Sequence, residues 1–319
     1  MADKFAVGVD LGGTKILASV VNLSTGRLIS SSKKKTRVIV DGGDLVKRIA
    51  AVVEDALTDA ETDIKHVVGI GIGAAGMVDR EKGILLAAAN LGANDVALAE
   101  PLAAQFAVPV KVGNDVEVAT LGELTFGAGR ACSSFVCIFV GTGIGSGIVH
   151  DGRIYRGGSG TAGEVGHIVV EPNGQLCGCG GYGCLETYAS RSAIARSVLY
   201  DLGRGNDSIL RDRIDPQKGL LRSKAIAQAL EVGDLVTERA VTRAAQMMGI
   251  GLATVINFYN PGRIIIGGGL VEAAPRYLEI AEQEARRRCL RIPSKRTEIV
   301  RAELGDYAGT IGAALLAGM

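Results

Sequence analysis

The 319-residue sequence contains no tryptophan and carries a net charge of only +1, and both features narrow what the protein can bind. Without an excess of lysine and arginine there is no overall positive field to attract nucleic acid, although a local basic patch is compatible with this balance. The 45 glycines favour tight turns and close approach of backbone to ligands over aromatic stacking platforms. We therefore expect no nucleic-acid partner.

Long apolar segments are also missing. Residues 1–5 have neither the basic region nor the apolar core of a signal peptide. The longest uncharged run, residues 131–149, is interrupted by four glycines and predicts two strands joined by a turn, not a membrane span. Clustered cysteines without an export signal indicate a reducing compartment, so we expect a cytoplasmic protein with no membrane partner.

One segment concentrates residues that bind metals. His167, Cys177, Cys179 and Cys184 offer the nitrogen and thiolate ligands that zinc prefers. Their spacing differs from that of zinc fingers, and the five glycines between residues 174 and 183 would let the backbone close around a tetrahedral ion. A disulfide, a redox-active thiol or buried apolar cysteines are the alternatives. We predict a structural zinc site, because a Cys3His set leaves no coordination position open.

Two glutamates flank this segment, Glu164 before the histidine and Glu186 after the last cysteine. If zinc binds one imidazole nitrogen of His167, the other nitrogen carries hydrogen and can only donate. A rigid donor between two carboxylate acceptors suits a polyhydroxylated ligand. The alternative is that both glutamates are solvated surface residues.

A glycine-rich turn between two predicted strands occurs twice, first at residues 11–15 (Leu-Gly-Gly-Thr-Lys) and again at residues 141–145 (Gly-Thr-Gly-Ile-Gly). Neither turn matches a Walker loop or a Rossmann turn, because both of those motifs open a helix. Backbone amides of such turns can bind phosphate, and Asp10 can reach a phosphate-bound magnesium ion; a purely structural hairpin is the alternative. The repeat predicts two similar lobes that bind different phosphates of one nucleotide.

Strands and helices alternate along the rest of the chain, which predicts α/β sheets whose ligands collect at the carboxyl ends of strands. Asp115 follows such a strand and either caps the next helix, as Asn114 also can, or acts in catalysis. The glycines at 267–269 follow a buried strand and permit adenine or ribose to lie against backbone, or simply form a turn. Residues 203–218 predict an exposed loop. Helices are predicted at 44–60, 101–106, 187–202, 235–259, 275–289 and 307–316.

Together these motifs resemble the ROK family (repressors, open reading frames, sugar kinases) of the actin, sugar kinase and Hsp70 superfamily. The resemblance rests on residues 10–15, 113–115, 141–145, 164–167 and 177–186, which occur in the family's order. It implies an α/β fold of two similar ribonuclease H-like (actin-like ATPase) lobes with a ligand cleft between them. We expect the N-terminal lobe to be residues 1–118 with the final helix, 305–319, and the C-terminal lobe to be 119–304, carrying the zinc module.

The resemblance also implies ATP-dependent phosphorylation of a hexose, with glucose preferred as in bacterial glucokinases, magnesium accompanying ATP, structural zinc and a homodimer. Asp115 would be the general base that accepts the proton of the sugar hydroxyl. The implied sugar-binding residues are Asn90, Asn114, Asp115, Glu164, His167 and Glu186. The implied nucleotide-binding residues are Asp10, on the magnesium side, with Gly12, Gly13, Thr14, Lys15, Gly141, Thr142, Gly143, Gly145, Gly268 and Gly269.

Three positions depart from the family pattern. Ala75 replaces the proline of a frequent Pro-Gly pair, Ala93 replaces a usual tryptophan, and Glu117 replaces a frequent asparagine. Loss of the tryptophan would widen the sugar pocket. Fructose, mannose, an N-acetylhexosamine or a cyclitol as acceptor, and polyphosphate as donor, therefore stay open. A sugar-sensing regulator is disfavoured, because the family's regulators carry a helix-turn-helix domain before the first glycine turn, and nine residues precede Asp10.

Overall fold

The computed structural model describes residues 4–36, 42–88, 91–215 and 221–319. The strands are β1 Phe5–Leu11, β2 Lys15–Asn22, β3 Leu28–Lys35, β4 Val67–Ala74, β5 Met77–Asp79, β6 Ile84–Ala88, β7 Ala93–Ala97, β8 Val110–Asn114, β9 Phe135–Val140, β10 Ile144–His150, β11 Arg153–Tyr155, β12 Arg263–Gly267 and β13 Glu298–Arg301. The helices are α1 Gly42–Asp59, α2 Ala99–Phe106, α3 Asp115–Phe126, α4 Glu186–Ala189, α5 Arg191–Gly203, α6 Ser223–Glu231, α7 Leu235–Tyr259, α8 Gly269–Ala273, α9 Pro275–Arg288, α10 Arg291–Arg296 and α11 Ala308–Gly318.

The chain forms two compact units. The first unit contains Met1–Arg130 and Glu303–Met319, and the second contains Ala131–Ala302. The boundary expected from the sequence, between residues 118 and 119, falls inside α3. That helix continues to Phe126 and packs against α11, so it lies wholly within the first unit. The chain consequently leaves the first unit about one helix later than the motifs suggested.

The first unit is built on a five-stranded sheet with the order β3-β2-β1-β4-β8. β1, β2 and β3 form an antiparallel meander, and β4 and β8 run parallel to β1. One face of β1 presents Val7, Val9 and Leu11 to a core that also contains apolar residues of α1 and α2. β5, β6 and β7 form a separate three-stranded sheet.

The opposite face of this sheet is covered by α11 at very short range. A Cβ on Gly8 would lie 1.8 Å from the carbonyl oxygen of Thr310, and a Cβ on Gly71 would lie 1.7 Å from that of Ala313. Only glycine permits such an approach of a helix backbone to a strand. These two strand glycines therefore fix the position of α11 over β1 and β4.

A buried carboxylate joins the two points where the chain leaves and re-enters the first unit. Glu123 is fully buried and accepts hydrogen bonds from the backbone N–H groups of Ala128 (2.8 Å), Glu303 (3.2 Å) and Leu304 (2.9 Å). A buried carboxylate is tolerated when several donors face it. Glu123 thus holds the exit and return segments together.

The second unit repeats the sheet pattern of the first. Its order is β11-β10-β9-β12-β13, again an antiparallel meander followed by two strands parallel to the first strand of the meander. Its core includes Val136, Ile138 and Val140 of β9, and the long helices α7 and α9 pack against each other. The predicted duplication of the strand–turn–strand unit is confirmed as a duplicated sheet.

Sequence reasoning about the segment after the cysteines was partly wrong. The helix predicted at 187–202 is divided into α4 and α5 by Ser190, whose hydroxyl accepts a hydrogen bond from the N–H of Ala193 and caps α5. In the predicted exposed loop at 203–218, of which 216–220 lie outside the described residues, Leu210 and Ile214 are buried in the core of the second unit. Among the helices described here, none is both long and apolar enough to cross a lipid bilayer.

Candidate active site

Two carboxylates lie at one edge of the first sheet, at the carboxyl ends of parallel strands. Asp10 pairs with Gly73 of β4, which in turn pairs with Gly113 of β8, and Asp115 follows two residues after Gly113. The two side chains are close enough for Asp115 to act electrostatically on Asp10. This edge is where α/β sheets place their ligands.

Both carboxylates of this edge bind protons more readily than an ordinary aspartate. Burial raises the pKa of Asp10 to about 6, and the negative charge of Asp115 adds to the rise while the Lys15 ammonium opposes it. Burial also raises the pKa of Asp115, although hydrogen bonds from backbone N–H groups and from Asn114 oppose part of this effect. The sequence-predicted base therefore has the environment of a proton acceptor.

Asn114 holds Asp115 in place. Its Oδ1 accepts from the N–H groups of Val116 and Glu117 at 3.0 and 3.1 Å and so caps α3, while its Nδ2 donates to Oδ1 of Asp115 at 3.0 Å. The same Nδ2 lies 3.2 Å from the carbonyl oxygen of Gly76. Capping by Asn114 leaves the carboxylate of Asp115 available for other chemistry.

The first glycine turn, residues 12–14, lies between β1 and β2. The N–H of Gly12 donates to the carbonyl of Lys15 at 3.0 Å, and Thr36 binds both Gly12 and Thr14. The ammonium of Lys15 lies 3.6 Å from the carboxylate of Asp306. A Cβ on Gly309, near the start of α11, would lie 3.2 Å from the Asp10 carboxyl carbon, so Asp10 faces that helix end.

An ion pair next to this edge was not predicted from the sequence. Arg80, immediately after β5, pairs with Glu117 in the first turn of α3, and the Glu117 side chain is only 14% exposed. Asn114 and Glu117 therefore tie the β5 region to the start of α3 by two contacts. The unusual Glu117 was visible in the sequence, but its partner lies 37 residues away and has no local signal.

The second unit brings the four predicted zinc ligands together. One ligand atom from each of His167, Cys177, Cys179 and Cys184 lies within 4.8 Å of the other three. The Cys179 and Cys184 sulfurs are 3.7 Å apart, which is too far for a disulfide and close to the roughly 3.8 Å expected between two sulfurs of a tetrahedral zinc site. The donor set and its spacing therefore fit zinc.

Glycines allow the backbone to form this cluster. Gly180 and Gly183 have φ values of +89° and +76°, and a Cβ on Gly183 would lie 1.9 Å from the carbonyl oxygen of Glu171. The backbone also closes on itself where the N–H of Cys177 donates to the carbonyl of Gly181 at 2.8 Å. The turn would be strained with any side chain at position 183.

The two ring nitrogens of His167 have different neighbours, a cysteine for Nδ1 and a carboxylate for Nε2. Its Nδ1 lies 3.7 Å from the sulfur of Cys177, whereas Nε2 lies 4.0 Å from the carboxylate of Glu164. Glu164 is largely exposed, with 67% of its side chain accessible. Metal binding at Nδ1 would leave Nε2 protonated, as a donor beside an accessible acceptor.

Glu186 contacts the second glycine turn. Its Oε2 accepts a hydrogen bond of 2.8 Å from the N–H of Ile144, and a Cβ on Gly143 would lie 2.3 Å from the same oxygen. The start of α5 holds the other side of the turn, because the N–H of Arg191 donates to the carbonyl of Gly141 at 2.9 Å and Ser192 Oγ donates to that of Thr142 at 2.8 Å. Glu186, which is predicted to bind the sugar, is therefore in direct contact with the turn that is predicted to bind phosphate.

Gly268 and Gly269 lie between β12 and α8, close to the end of β9. Gly268 has a φ of +97°, and a Cβ there would lie 2.6 Å from the carbonyl oxygen of Val140. Gly269 faces the hydroxyl of Ser223. Gly268 is therefore needed for close packing of backbone against backbone.

The structure thus groups the predicted site residues in two sets. Asp10, residues 12–15, Asn114 and Asp115 lie at one edge of the first unit. Residues 141–145, Glu164, His167, Glu186 and the cysteines lie together in the second unit. Asn90 lies outside the described residues. Arg80 and Arg191 are contact residues that sequence reasoning missed.

Comparisons with known proteins identify the family of this chain. The ROK family profile matches residues 6–319. The chain is 35% identical to a glucokinase of Halalkalibacterium halodurans over 98% of this chain and 94% of the relative, and 30% identical to the xylose repressor of Caldicellulosiruptor bescii over 96% of this chain and 76% of the relative. A solved ROK family glucokinase from Streptomyces griseus, in complex with glucose and AMPPNP, matches with a TM-score of 0.85 at 34% identity, covering 98% of this chain and 99% of that chain.

These matches confirm the predicted α/β fold of actin-like ATPase type with two lobes. They extend over nearly the whole chain and are not confined to the glycine turns. The protein belongs to the ROK family.

Proposed function

We propose that this protein is a sugar kinase that transfers the terminal phosphoryl group of ATP to a hexose, with glucose yielding glucose 6-phosphate. The observation that carries the proposal is the Asp115 carboxylate, oriented by Asn114 at the carboxyl edge of the first sheet. The likeness over nearly full length to glucokinases, one of them solved with glucose and AMPPNP, supports the donor and acceptor.

Asp115 is the proposed general base. Phosphoryl transfer depends mostly on positioning and on stabilising charge, so a base must hold the attacking hydroxyl in line and take its proton as the new bond forms. The burial that raises the pKa of Asp115 makes its carboxylate a better proton acceptor than a solvated aspartate. Asn114 keeps one carboxylate oxygen engaged, which leaves the other for the sugar hydroxyl.

The second unit supplies the proposed sugar and nucleotide contacts. Glu164 and Glu186 accept hydrogen bonds from sugar hydroxyls, and Nε2 of His167 donates one. Residues 141–145 with Gly268 and Gly269 are proposed to bind nucleotide phosphate and adenosine, and the turn at 12–15 of the first unit is a further proposed phosphate-binding turn. Asp10 is the carboxylate proposed for magnesium, which would neutralise phosphate charge when bound with ATP.

Zinc is proposed as a structural ion held by His167 and the three cysteines. Bound there, it fixes the tautomer and orientation of the histidine and the path of the segment that carries Glu164 and Glu186. The 4.8 Å cluster of ligand atoms supports this assignment. We further propose a homodimer in the cytoplasm, which sedimentation of the purified protein and cell fractionation would test.

Other acceptors are a second candidate function. Ala93 replaces the tryptophan expected from the family resemblance, and this smaller side chain is the proposed reason for tolerance of bulkier sugars such as an N-acetylhexosamine. A sugar-responsive regulator is the disfavoured alternative, because the match to a xylose repressor has lower identity than the matches to glucokinases. Such a regulator would bind sugar without turnover.

A panel of acceptors and donors tests these functions directly. Glucose, fructose, mannose, N-acetylglucosamine, N-acetylmannosamine and a cyclitol are compared by kcat/KM, each with ATP and with inorganic polyphosphate. Glucose with ATP should give the highest value. If another sugar but not glucose is phosphorylated, that sugar replaces glucose as the proposed acceptor. If sugars bind but no donor supports turnover, the proposed kinase function is contradicted.

A further inference from the structure

Arg191 joins two elements that are proposed to hold the nucleotide. It is the first residue of α5, and its guanidinium donates to Oγ1 of Thr142 at 2.6 Å and to Oγ of Ser223 at 3.0 Å. Ser223 is the first residue of α6, and its hydroxyl lies 3.1 Å from the position of a Cβ on Gly269. The guanidinium therefore spans from the second glycine turn to the glycines after β12.

No carboxylate of the described residues forms an ion pair with the guanidinium of Arg191. Other half-buried arginines pair with glutamates, as Arg80 does with Glu117 and Arg286 with Glu282. Within the described ranges the hydrogen-bond partners of the Arg191 guanidinium are the hydroxyls of Thr142 and Ser223. Burial lowers the pKa of its guanidinium, because the charged form loses solvation there. A partly buried cation without a counter-charge is costly unless an anion binds beside it.

The neighbouring turn offers further donors. The backbone N–H groups of Thr142 and Gly143 donate to no acceptor in the part of the chain that the structure describes, and the space around Gly141 is open. Free amides in a glycine turn bind anionic oxygens. Arg191 adds a planar fork of donors to the same place, and guanidinium forks match phosphate geometry.

We propose that Arg191 is a phosphate-binding residue that contacts the phosphate chain of the nucleotide at the Gly141–Gly145 turn. This assignment rests on the proposed kinase function and adds a residue to it. The competing role is purely structural, in which the guanidinium only holds Thr142 and Ser223 in place. The two roles differ in one respect, because a structural role affects every ligand of the pocket, whereas a phosphate contact affects only ligands that carry phosphate.

Arg191→Gln and Arg191→Lys test the assignment, with dissociation constants measured calorimetrically for ATP and ADP and by competition for adenosine. The backbone bond from residue 191 to Gly141 is retained in both variants. Arg204→Gln is the matched control, because it removes an exposed arginine just after the same helix whose guanidinium contacts Tyr200. Arg191→Gln should raise the dissociation constants of ATP and ADP by about 10-fold to 100-fold, as expected for a lost charge-assisted hydrogen bond. The dissociation constant of adenosine should rise by less than about twofold. Arg191→Lys should recover part of the loss.

Equal weakening of adenosine binding and ATP binding in Arg191→Gln, or no weakening of either, would overturn the assignment. Failure of the kinase proposal has a different signature, since the wild-type protein itself would then show no phosphorylation of any sugar. Thermal unfolding of each variant without ligand shows whether the fold persists. If Arg191→Gln unfolds, the comparison is made with Arg191→Lys, which keeps the charge but loses the fork and should still weaken ATP more than adenosine.

Discussion

The carboxylate of Glu186 accepts a 2.8 Å hydrogen bond from the backbone N–H of Ile144, at the end of the second glycine turn. The residue proposed to bind the sugar therefore also fixes the turn proposed to bind phosphate. Because one oxygen of the carboxylate serves the turn, the other is left for the sugar. Sugar and nucleotide binding should consequently depend on the same side chain.

Two substitutions at Glu186 separate these roles. Glu186→Gln keeps an amide oxygen that can accept from Ile144 but removes the charge, so it should raise the KM for glucose about tenfold and change the KM for ATP little. Glu186→Ala removes the acceptor as well and should raise both KM values. Steady-state kinetics with each substrate varied in turn measures the effect. Identical kinetics for the two variants would contradict a role in the turn.

Asp115→Asn should retain sugar binding and lose most turnover. The asparagine has nearly the same shape and can still contact Asn114, but it cannot take a proton, so kcat should fall about 100-fold to 10,000-fold. Calorimetry gives the glucose affinity and a coupled assay gives kcat. Asp63→Asn, an exposed aspartate that caps a short helical turn, is the control and should keep wild-type turnover. Near-normal kcat in Asp115→Asn would remove Asp115 from the base role.

The sequence predicted those parts of the fold that have local causes. Helix α7 has the bounds read from its pattern, because Asp234 caps its start and Asn260, with a φ of +51°, ends it in the left-handed conformation. The two strand–turn–strand units were recognisable because glycine turns and apolar strands alternate. Local chemistry did not decide between Asn114 and Asp115 as the cap of α3, since both residue types cap helices well.

Zinc should be present in stoichiometric amount and should depend on Cys179. Elemental analysis of freshly purified protein should find about one zinc per chain, and Cys179→Ser should lower that content and weaken glucose binding. Cys179 is exposed, so the substitution leaves no core cavity. Cys132→Ser, outside the cluster, is the control and should retain the metal. Wild-type protein without zinc would contradict the proposed site.

The raised pKa of Asp10 predicts how stability changes with pH in the absence of nucleotide and magnesium. Because the native pKa is about 6 and the ordinary value is 3.8, the native state binds the proton more tightly than the unfolded state. The contribution of Asp10 to stability is therefore fully present below about pH 3.8 and is lost as the pH rises through about 6, by at most about 3 kcal/mol. Asp10→Asn should remove this dependence.

Urea unfolding of the wild type and of Asp10→Asn at pH 4.5 and pH 7.5 measures the effect. The gain in free energy of unfolding in the variant should be larger at pH 7.5, where the wild-type carboxylate is charged, than at pH 4.5. An equal gain at both values would show that Asp10 titrates normally in the folded protein.

Contacts between distant segments set the limit of sequence reasoning. Nothing in the order of residues indicated that Arg80 meets Glu117 or that Arg191 meets Ser223, because these pairs form only after the units have folded. The same holds for Leu210 and Ile214, whose burial depends on the core of the second unit. The clustering of His167 with the three cysteines was predictable because seventeen residues or fewer separate them and their chemistry is specific.

Arg80 and Glu117 should act as a unit that positions the catalytic edge. Their ion pair lies two residues from Asp115, and Arg80 and Glu117 side chains are 32% and 14% exposed, so it is partly protected from solvent. Glu117→Gln should therefore cost about 1–2 kcal/mol of stability, more than an exposed pair would. Since Asn114 contacts Gly76 beside β5, loosening this region should also lower kcat with little effect on the KM for ATP.

A double-mutant cycle decides whether the pair carries this effect. Arg80→Gln, Glu117→Gln and the double variant are compared for free energy of unfolding and for kcat. Coupled residues make the double variant less impaired than the sum of the two single variants predicts, by about 0.5 kcal/mol or more. Lys82→Gln, an exposed neighbour that pairs with Asp79, serves as the control. Additive losses would mean that Arg80 and Glu117 act separately and that their ion pair does not position Asp115.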